Sequence, residues 1–408
     1  MINLEVPKKA GALINQAYQA AAEVFRPISR KYDRAEHTYP SELDMFAALL
    51  DGLNSSGEGG AGAAGVRRDE KGDSDKTGKK AGNRNGANLN VVLGTIEMCW
   101  GDVGLLLSMP RQGLGNAAIA SVANDEQLKR FEKTWAAMAI TEPDCGSDSA
   151  AITATAKLDG DDYVLNGEKI FVTSGERADA VVVWASLDKS KGRAAIKSFV
   201  VEKGTPGFEV VRIEHKLGIR ASDTAVLRFE NCRVPKENLL GTSEIDTQKG
   251  FAGVMQTFDN TRPLVAAMAI GVARAALEET ARILSEAGVT VDYDRPANTQ
   301  HAAAAAYLQL EAEYESAYLL TLESAWMADN RKPNSLQASM AKAKAGRSVV
   351  EITLRCVELA GTFGYTEESL LEKWSRDAKI LDIFEGTQQI QQLIVARRVL
   401  GKSSAELK

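Results

Sequence analysis

The chain is predicted to be an α+β multidomain protein, with an N-terminal helical domain over residues 1–135, a middle antiparallel β domain over 136–241 and a C-terminal four-helix bundle over 242–408. Three observations carry this. Apolar residues recur at three- and four-residue spacing up to about Lys133 and again after Gly241. Between Ala136 and Phe229 they alternate with period two, and the dipeptides Asp159-Gly160 and Asn166-Gly167 read as hairpin signals. At 408 residues the chain is longer than one core usually serves, so two or three domains with room to bury a cofactor are expected.

Taken in order, Ile14, Ala17, Ala21, Val24 and Phe25 mark a helical region from Pro7 to about Leu53. From Asn54 to about Asn90 the composition turns to Gly, Ser, Asn, Lys and Asp, which cannot offset ordering entropy by burial, so a mobile insertion is expected. Helical character resumes from Leu89 to about Lys133. Strands are expected at Ala136–Thr141, Thr153–Leu158, Tyr163–Leu165, Lys169–Val172, Ala180–Leu187, Lys197–Val201 and Thr224–Phe229. Asn260 or Thr261 should cap a long helix with Pro263 in its first turn, Gly288 beyond its end, and Val265, Met268, Val272 and Ala276 on one face. Helices at Ala302–Met327 and Leu336–Leu359 follow, and no internal repeat is visible.

Near the C-terminus, Lys373–Asp382 reads as a helix that Gly386 breaks, and Thr387 is placed to cap the next one. That second helix carries Ile390, Leu393 and Ile394, has Arg397 and Arg398 in its last turn, and ends before Gly401. Glu385 therefore sits on a break between two helices, where a carboxylate can serve as a fixed base. Read locally, it is equally an ordinary solvated Glu.

Composition removes several classes. A net charge of −6 argues against nucleic acid or an anionic membrane as main partner. Cys99, Cys145, Cys232 and Cys356 form no C-x-x-C pair, so neither a disulfide framework nor a zinc site is expected. The three histidines, His37, His215 and His301, give no basis for a metal centre or a Ser-His-Asp triad. The start has no signal-peptide core and no later run reaches about 18 apolar residues, so no membrane insertion and a cytoplasmic setting are expected.

Five ordered motifs now come together: Thr141-Glu142-Pro143-Asp144-Cys145-Gly146-Ser147-Asp148; Leu165 to Gly175; Lys216 to Thr224; Phe258-Asp259-Asn260-Thr261-Arg262-Pro263; and Ile383 to Gln391 around Glu385. With them the sequence resembles the acyl-CoA dehydrogenase family from about Phe25 to Gly401, interrupted by Asn54–Asn90. The resemblance implies the three-part fold, FAD between the β domain and the bundle, and an acyl-CoA substrate. It implies Met138, Ile140, Thr141, Gly146 and Ser147 at the flavin-contacting turn, Phe171, Val172 and Thr173 on the covering strand, and Thr387 and Gln389 contacting FAD from the bundle. Phe171 stands where relatives usually carry Trp, keeping an aromatic face without the indole N–H. Ser147, Phe258, Asp259, Arg262, Phe384 and Gly386 are implied on the substrate side, although Arg by itself is usually a surface residue.

The implied chemistry removes an α-proton with Glu385, holds the thioester oxygen with the Glu385 N–H and a ribityl hydroxyl, and passes the β-hydrogen to flavin as hydride. Some relatives place the base on the helix before the conserved Arg; that position is Thr261 here, which cannot serve. Arg376 and Asp377 are read as structural ion pairs. The resemblance further implies an electron-transfer flavoprotein partner and a dimer-of-dimers tetramer in fatty-acid β-oxidation. Two departures bear on that assembly. Relatives carry an Arg-x-x-Phe-Gly motif that reaches a neighbour's FAD pyrophosphate, where this chain has Gly288 to Pro296 without it; and Glu358-Leu359-Ala360-Gly361-Thr362 replaces a Gln followed by Gly-Gly. Two readings are open: a heteromer with a homologous partner that donates the clamp, and a homo-oligomer in which Arg295 or another residue substitutes. An acyl-CoA oxidase and a non-catalytic subunit of a heteromer stay open as alternatives, while a nitroalkane oxidase would want a shorter acid than Glu at 385.

Overall fold

The computed structural model describes residues 2, 4–47, 86–110, 114–246, 252–403 and 406, with side-chain surroundings left aside for 252–260. The expected insertion from Asn54 to Asn90 lies outside the described residues up to 85, and its last residues already belong to a helix. Helix α1 (Gly11–Ala20) runs through a π turn (Ala21–Phe25) into α2 (Arg26–Arg34). Pro27 in the first turn of α2 has no N–H for the ladder, and the widened turn before it absorbs the missing bond. Then come α3 (Ala87–Gly101), α4 (Val103–Leu107), α5 (Leu114–Val122) and α6 (Asp125–Arg130). A full capping box, Asn124 with Gln127, starts α6.

The middle region is one seven-stranded sheet in the order β1-β4-β2-β3-β7-β6, with β5 paired to β4. Its strands are β1 (Ala136–Ala139), β2 (Thr155–Asp159), β3 (Asp162–Thr173), β4 (Ala180–Ser186), β5 (Ile196–Glu202), β6 (Phe208–Ile213) and β7 (Thr224–Pro235). Most pairings are antiparallel, but β1 runs parallel to β4. Strand β4 is buried on both faces: Val181, Val183 and Ala185 enter one core, and Ala180, Val182 and Trp184 the other. That double burial explains its unbroken apolar run. The edge strand β6 escaped the sequence reading because charged Glu209 and Arg212 dilute its alternation.

Two expectations need correction. Asp159-Gly160 does turn a hairpin between β2 and β3, but Asn166-Gly167 does not: it lies within β3, which continues across it. There Asn166 Oδ1 accepts the Asn231 N–H at 2.8 Å, and Gly167 at φ 150° lets the backbone pass Ala154, whose Cβ would sit 2.7 Å from an added side chain. The long helix α7 (Ala252–Glu286) likewise starts before Asn260 and Thr261, so neither caps it and Pro263 is internal. Its end is as expected, with Gly288 at φ 79° and the Val289 N–H closing on Leu284 O at 2.8 Å.

Helices α8 (Ala302–Asp329), α9 (Ser335–Ala360), α10 (Thr362–Tyr365), α11 (Leu371–Leu381) and α12 (Gln388–Leu400) complete the chain. The N-terminal helices and the C-terminal ones share a single hydrophobic core, in which Leu93, Ile96 and Cys99 meet Ile270, Ala273 and Leu277. Gly271 makes that approach feasible, since a Cβ there would lie 2.4 Å from Ile96 O. Among the described residues no helix is long and apolar enough to cross a membrane.

Candidate active site

The break between α11 and α12 is built from two successive left-handed residues, Glu385 at φ 54° and Gly386 at φ 92°. Glycine adopts this freely, whereas a glutamate does so only when its surroundings impose it. Three contacts impose it. The Gln391 side-chain amide, fully buried on α12, donates to Glu385 O at 3.1 Å and Gly386 O at 3.2 Å. Lys342 Nζ on α9 donates to Gly386 O at 2.7 Å, and Thr387 Oγ1 caps α12 by accepting the Ile390 N–H at 3.4 Å.

So clamped, Glu385 presents its carboxylate to α7, where the Thr261 hydroxyl donates to Oε2 at 2.8 Å. Burial pushes the Glu385 carboxyl above the usual carboxylate range; the Thr261 hydroxyl, the Arg262 guanidinium and the Lys342 ammonium pull the other way without prevailing. Arg262 is buried, 3% exposed, which sets aside its reading as a surface residue. Thr261 cannot serve as a base, but it holds the Glu385 carboxylate in place. Thr261→Val should therefore move the acid limb of kcat/KM upward, by about half to one pH unit, as the carboxylate loses its hydrogen bond; an unmoved limb in the folded variant counts against the contact.

A second group forms on the sheet. Met138 and Ile140 lie on and just after β1, and Thr141 O accepts the Ile170 N–H of β3 at 2.9 Å. Gly146 and Ser147 are exposed on the turn. The turn is anchored by a buried pair that sequence reasoning passed over: Lys169 Nζ meets Glu142 Oε1 at 2.7 Å and Ile140 O at 3.0 Å. Glu142 also accepts the Thr153 N–H at 2.6 Å and the Ala154 N–H at 3.0 Å. Burial works to raise the Glu142 carboxyl, but Lys169 and Thr153 hold it below the usual range. Both residues stand inside the motifs already singled out, yet nothing local says that they pair.

On β3 a register shift between Lys169 and Val172 re-aims Phe171, which takes φ 57° and is 62% exposed. Thr173 is half-buried on the same strand. Of the bundle-side residues, Gln389 is exposed and Phe384 packs half-buried against the helical core. The expected roles of the Phe258 and Asp259 side chains lie outside what is described. The supports of the two groups are joined by Asp377 of α11, which accepts the Ile219 N–H from the β6–β7 connection at 2.5 Å. Arg376 and Asp377 are ion-paired as expected, with Asp33 at 2.7 Å and Lys373 at 2.5 Å.

One cluster of metal-ligand type exists among the described residues: ligand atoms of Glu36, His37 and His215 lie within 4.8 Å of one another. Glu36 is already engaged by Arg220 at 2.9 Å and by the Lys216 N–H at 2.8 Å, which hold its carboxyl down at about 2. The Glu36 carboxylate is thus already committed to an ion pair and a backbone N–H.

Against known proteins, the profile "Acyl-CoA dehydrogenase, middle domain" matches residues 137–232 and "Acyl-CoA dehydrogenase, C-terminal domain" matches residues 248–400. A short-chain-specific acyl-CoA dehydrogenase of Clostridium acetobutylicum is 34% identical over 329 residues, covering 79% of this chain and 85% of the relative. The chain belongs to the acyl-CoA dehydrogenase family. Among solved structures, butyryl-CoA dehydrogenase from Megasphaera elsdenii superposes with a TM-score of 0.81 at 28% identity, covering 98% of this chain and all of that one. A structure described as the electron transferring flavoprotein of Acidaminococcus fermentans gives 0.79 at 30% identity, covering 98% and 100%.

As an acyl-CoA dehydrogenase the chain is expected to use a flavin, and its residues fit one. An aromatic face fixed by a bulge beside a turn of exposed small residues suits a planar ring system. The residues that would hold it are Met138, Ile140, Thr141, Gly146, Ser147, Phe171 and Thr173 on the sheet, with Thr387 and Gln389 at the start of α12.

Proposed function

We propose that this acyl-CoA dehydrogenase uses FAD and takes the α-proton of an acyl-CoA thioester onto Glu385, giving the trans-2-enoyl thioester. The observation that carries the reading is a carboxylate fixed at a helix break, hydrogen-bonded to Thr261 and shifted toward neutrality by burial. FAD, when bound, supplies the acceptor for the β-hydrogen. The protein's part is to hold the base, ionised, at one point: abstraction next to a carbonyl needs the oxygen within about 3 Å of the carbon-bound proton. Ser147, Arg262, Phe384 and Gly386 are proposed on the substrate side, with Phe258 and Asp259.

We take an electron-transfer flavoprotein as the acceptor of the electrons, supported by the name of the Acidaminococcus relative in fold. A cytoplasmic setting is proposed on the four buried free cysteines. A heteromer is favoured over a homo-oligomer by the residues at the two departures from the family pattern. Arg295 donates to Thr299 O of its own chain at 2.9 Å, and Glu358 is exposed and paired to Arg355. A carboxylate there repels a neighbour's pyrophosphate rather than holding it.

Butyryl-CoA and a panel of longer thioesters, given to the purified chain with and without a co-expressed homologue, test both readings. Enoyl-CoA formation with reduction of an added electron-transfer flavoprotein is expected, and hydrogen peroxide production in air instead would make the chain an oxidase. The heteromer should hold about one FAD per pair of unlike chains; full FAD occupancy in a homotetramer would eliminate it.

A further inference from the structure

Against the Glu385 loop lies a buried charge that the reaction scheme leaves unused. Lys342 of α9 is fully buried, and an ammonium is withdrawn from water only where strong acceptors replace its hydration. Its acceptors are backbone carbonyls on either side of the base: Gly386 O at 2.7 Å and Asp382 O at 3.2 Å. Asp382 is the C-cap of α11, where the helix dipole favours a cation. The charged groups facing Lys342 are Asp382 and Glu385 from the loop and Arg262 from α7. Those acting on Glu385 are Arg262 and Lys342, joined by the Thr261 hydroxyl.

We propose that Lys342 is a positioning residue for Glu385: by tying the C-cap of α11, Asp382, to the residue after the base, it holds the left-handed Glu385–Gly386 pair and aims the carboxylate at α7. The assignment rests on Glu385 being the base. Gln391 of α12 grips Glu385 O and Gly386 O, sharing only the second with Lys342, but it is uncharged, so Lys342 alone of the two clamps also favours the ionised carboxylate. Burial draws the Lys342 ammonium down to about 8 against the pull of Asp382 and Glu385, so it still carries its charge at neutral pH.

The test uses Lys342→Met and Lys342→Gln in the full flavin-loaded protein, with its partner if it has one. Flavin absorbance and circular dichroism check loading and fold; kcat, KM and their pH dependence are measured; and amide hydrogen exchange is followed in the peptide spanning Ile380 to Thr387. In that peptide the Ile383 and Phe384 N–H groups donate to Ile380 O at 2.9 and 3.0 Å. Lys342→Met should keep the flavin and a KM near the parent value, lose about 10- to 100-fold in kcat, and exchange those amides faster. Its acid limb should rise by about one pH unit, because a positive neighbour of the carboxylate is gone. Lys342→Gln, neutral but still a donor, should recover most of kcat while the limb stays displaced.

A folded Lys342→Met with unchanged kcat, limb and exchange overturns the proposal. Failure of both variants to fold overturns it too, by making Lys342 a packing residue. Full turnover in Glu385→Gln would sink the base reading instead, and the exchange comparison in Lys342→Met would still report on the loop.

Discussion

Glu385→Gln is expected to lower kcat by about 100- to 10,000-fold while flavin content and fold stay as in the parent. The amide is nearly isosteric, so it keeps an oxygen for the Thr261 hydroxyl at the same place, but it cannot take a proton from carbon. In the parent protein the pH dependence should show the same group. As the proposed base Glu385 would act only when ionised, and burial holds its carboxyl above the usual range, so kcat/KM should fall as pH drops through a limb higher than about 4.3, the ordinary glutamate value. The raised value has a second consequence. A folded-state carboxyl that binds its proton more tightly than the unfolded one costs stability above its unfolded value, so this residue should oppose folding at neutral pH. Glu385→Gln is therefore expected to melt no lower than the parent, and a variant both fully active and unchanged in its acid limb would remove Glu385 from the mechanism.

Lys373→Met is expected to cost about 3–5 kcal/mol of stability, the largest loss for a single change outside the site. Lys373 is 1% exposed and bridges Asp102 at 2.8 Å and Asp377 at 2.5 Å, both also buried. Asp102 caps α4 through the Leu105 N–H at 2.8 Å and accepts the Ser29 hydroxyl, while Asp377 accepts the Ile219 N–H. Without the ammonium two carboxylates face each other in the core where N-terminal helices, sheet connection and bundle meet. A denaturant midpoint that falls at constant slope would show it. A triple change, Lys373→Met with Asp102→Asn and Asp377→Asn, should regain part of the loss, because removing all the charges avoids the uncompensated burial. If Lys373→Met melts with the parent, the cluster contributes nothing.

Much of this was written along the chain. The order helices, sheet, helices follows from periodicity, and the Glu385 break from Gly386, the Thr387 cap and the apolar spacing of α12, all within a dozen residues. Such features depend on what a backbone does with its immediate neighbours, and local chemistry suffices to predict them. Where two dipeptides carried the same local signal it did not suffice. Asp159-Gly160 turns and Asn166-Gly167 continues, because β7 lies alongside β3 and its Asn231 takes the hydrogen bond that a turn would have used internally.

The site's charges show the same division more sharply. Glu385 was legible as a candidate; its setting was not. Thr261 stands 124 positions away and Lys342 reaches Gly386 across 44, while Glu142 and Lys169 are 27 apart. Periodicity says that Lys342 and Lys169 lie in helix and strand; it cannot say that they face inward, since lysine is ordinarily solvated. Only packing the elements together decided which buried ammonium meets which oxygen, because an unmatched charge in the interior is too costly to leave and its match can come from any part of the chain.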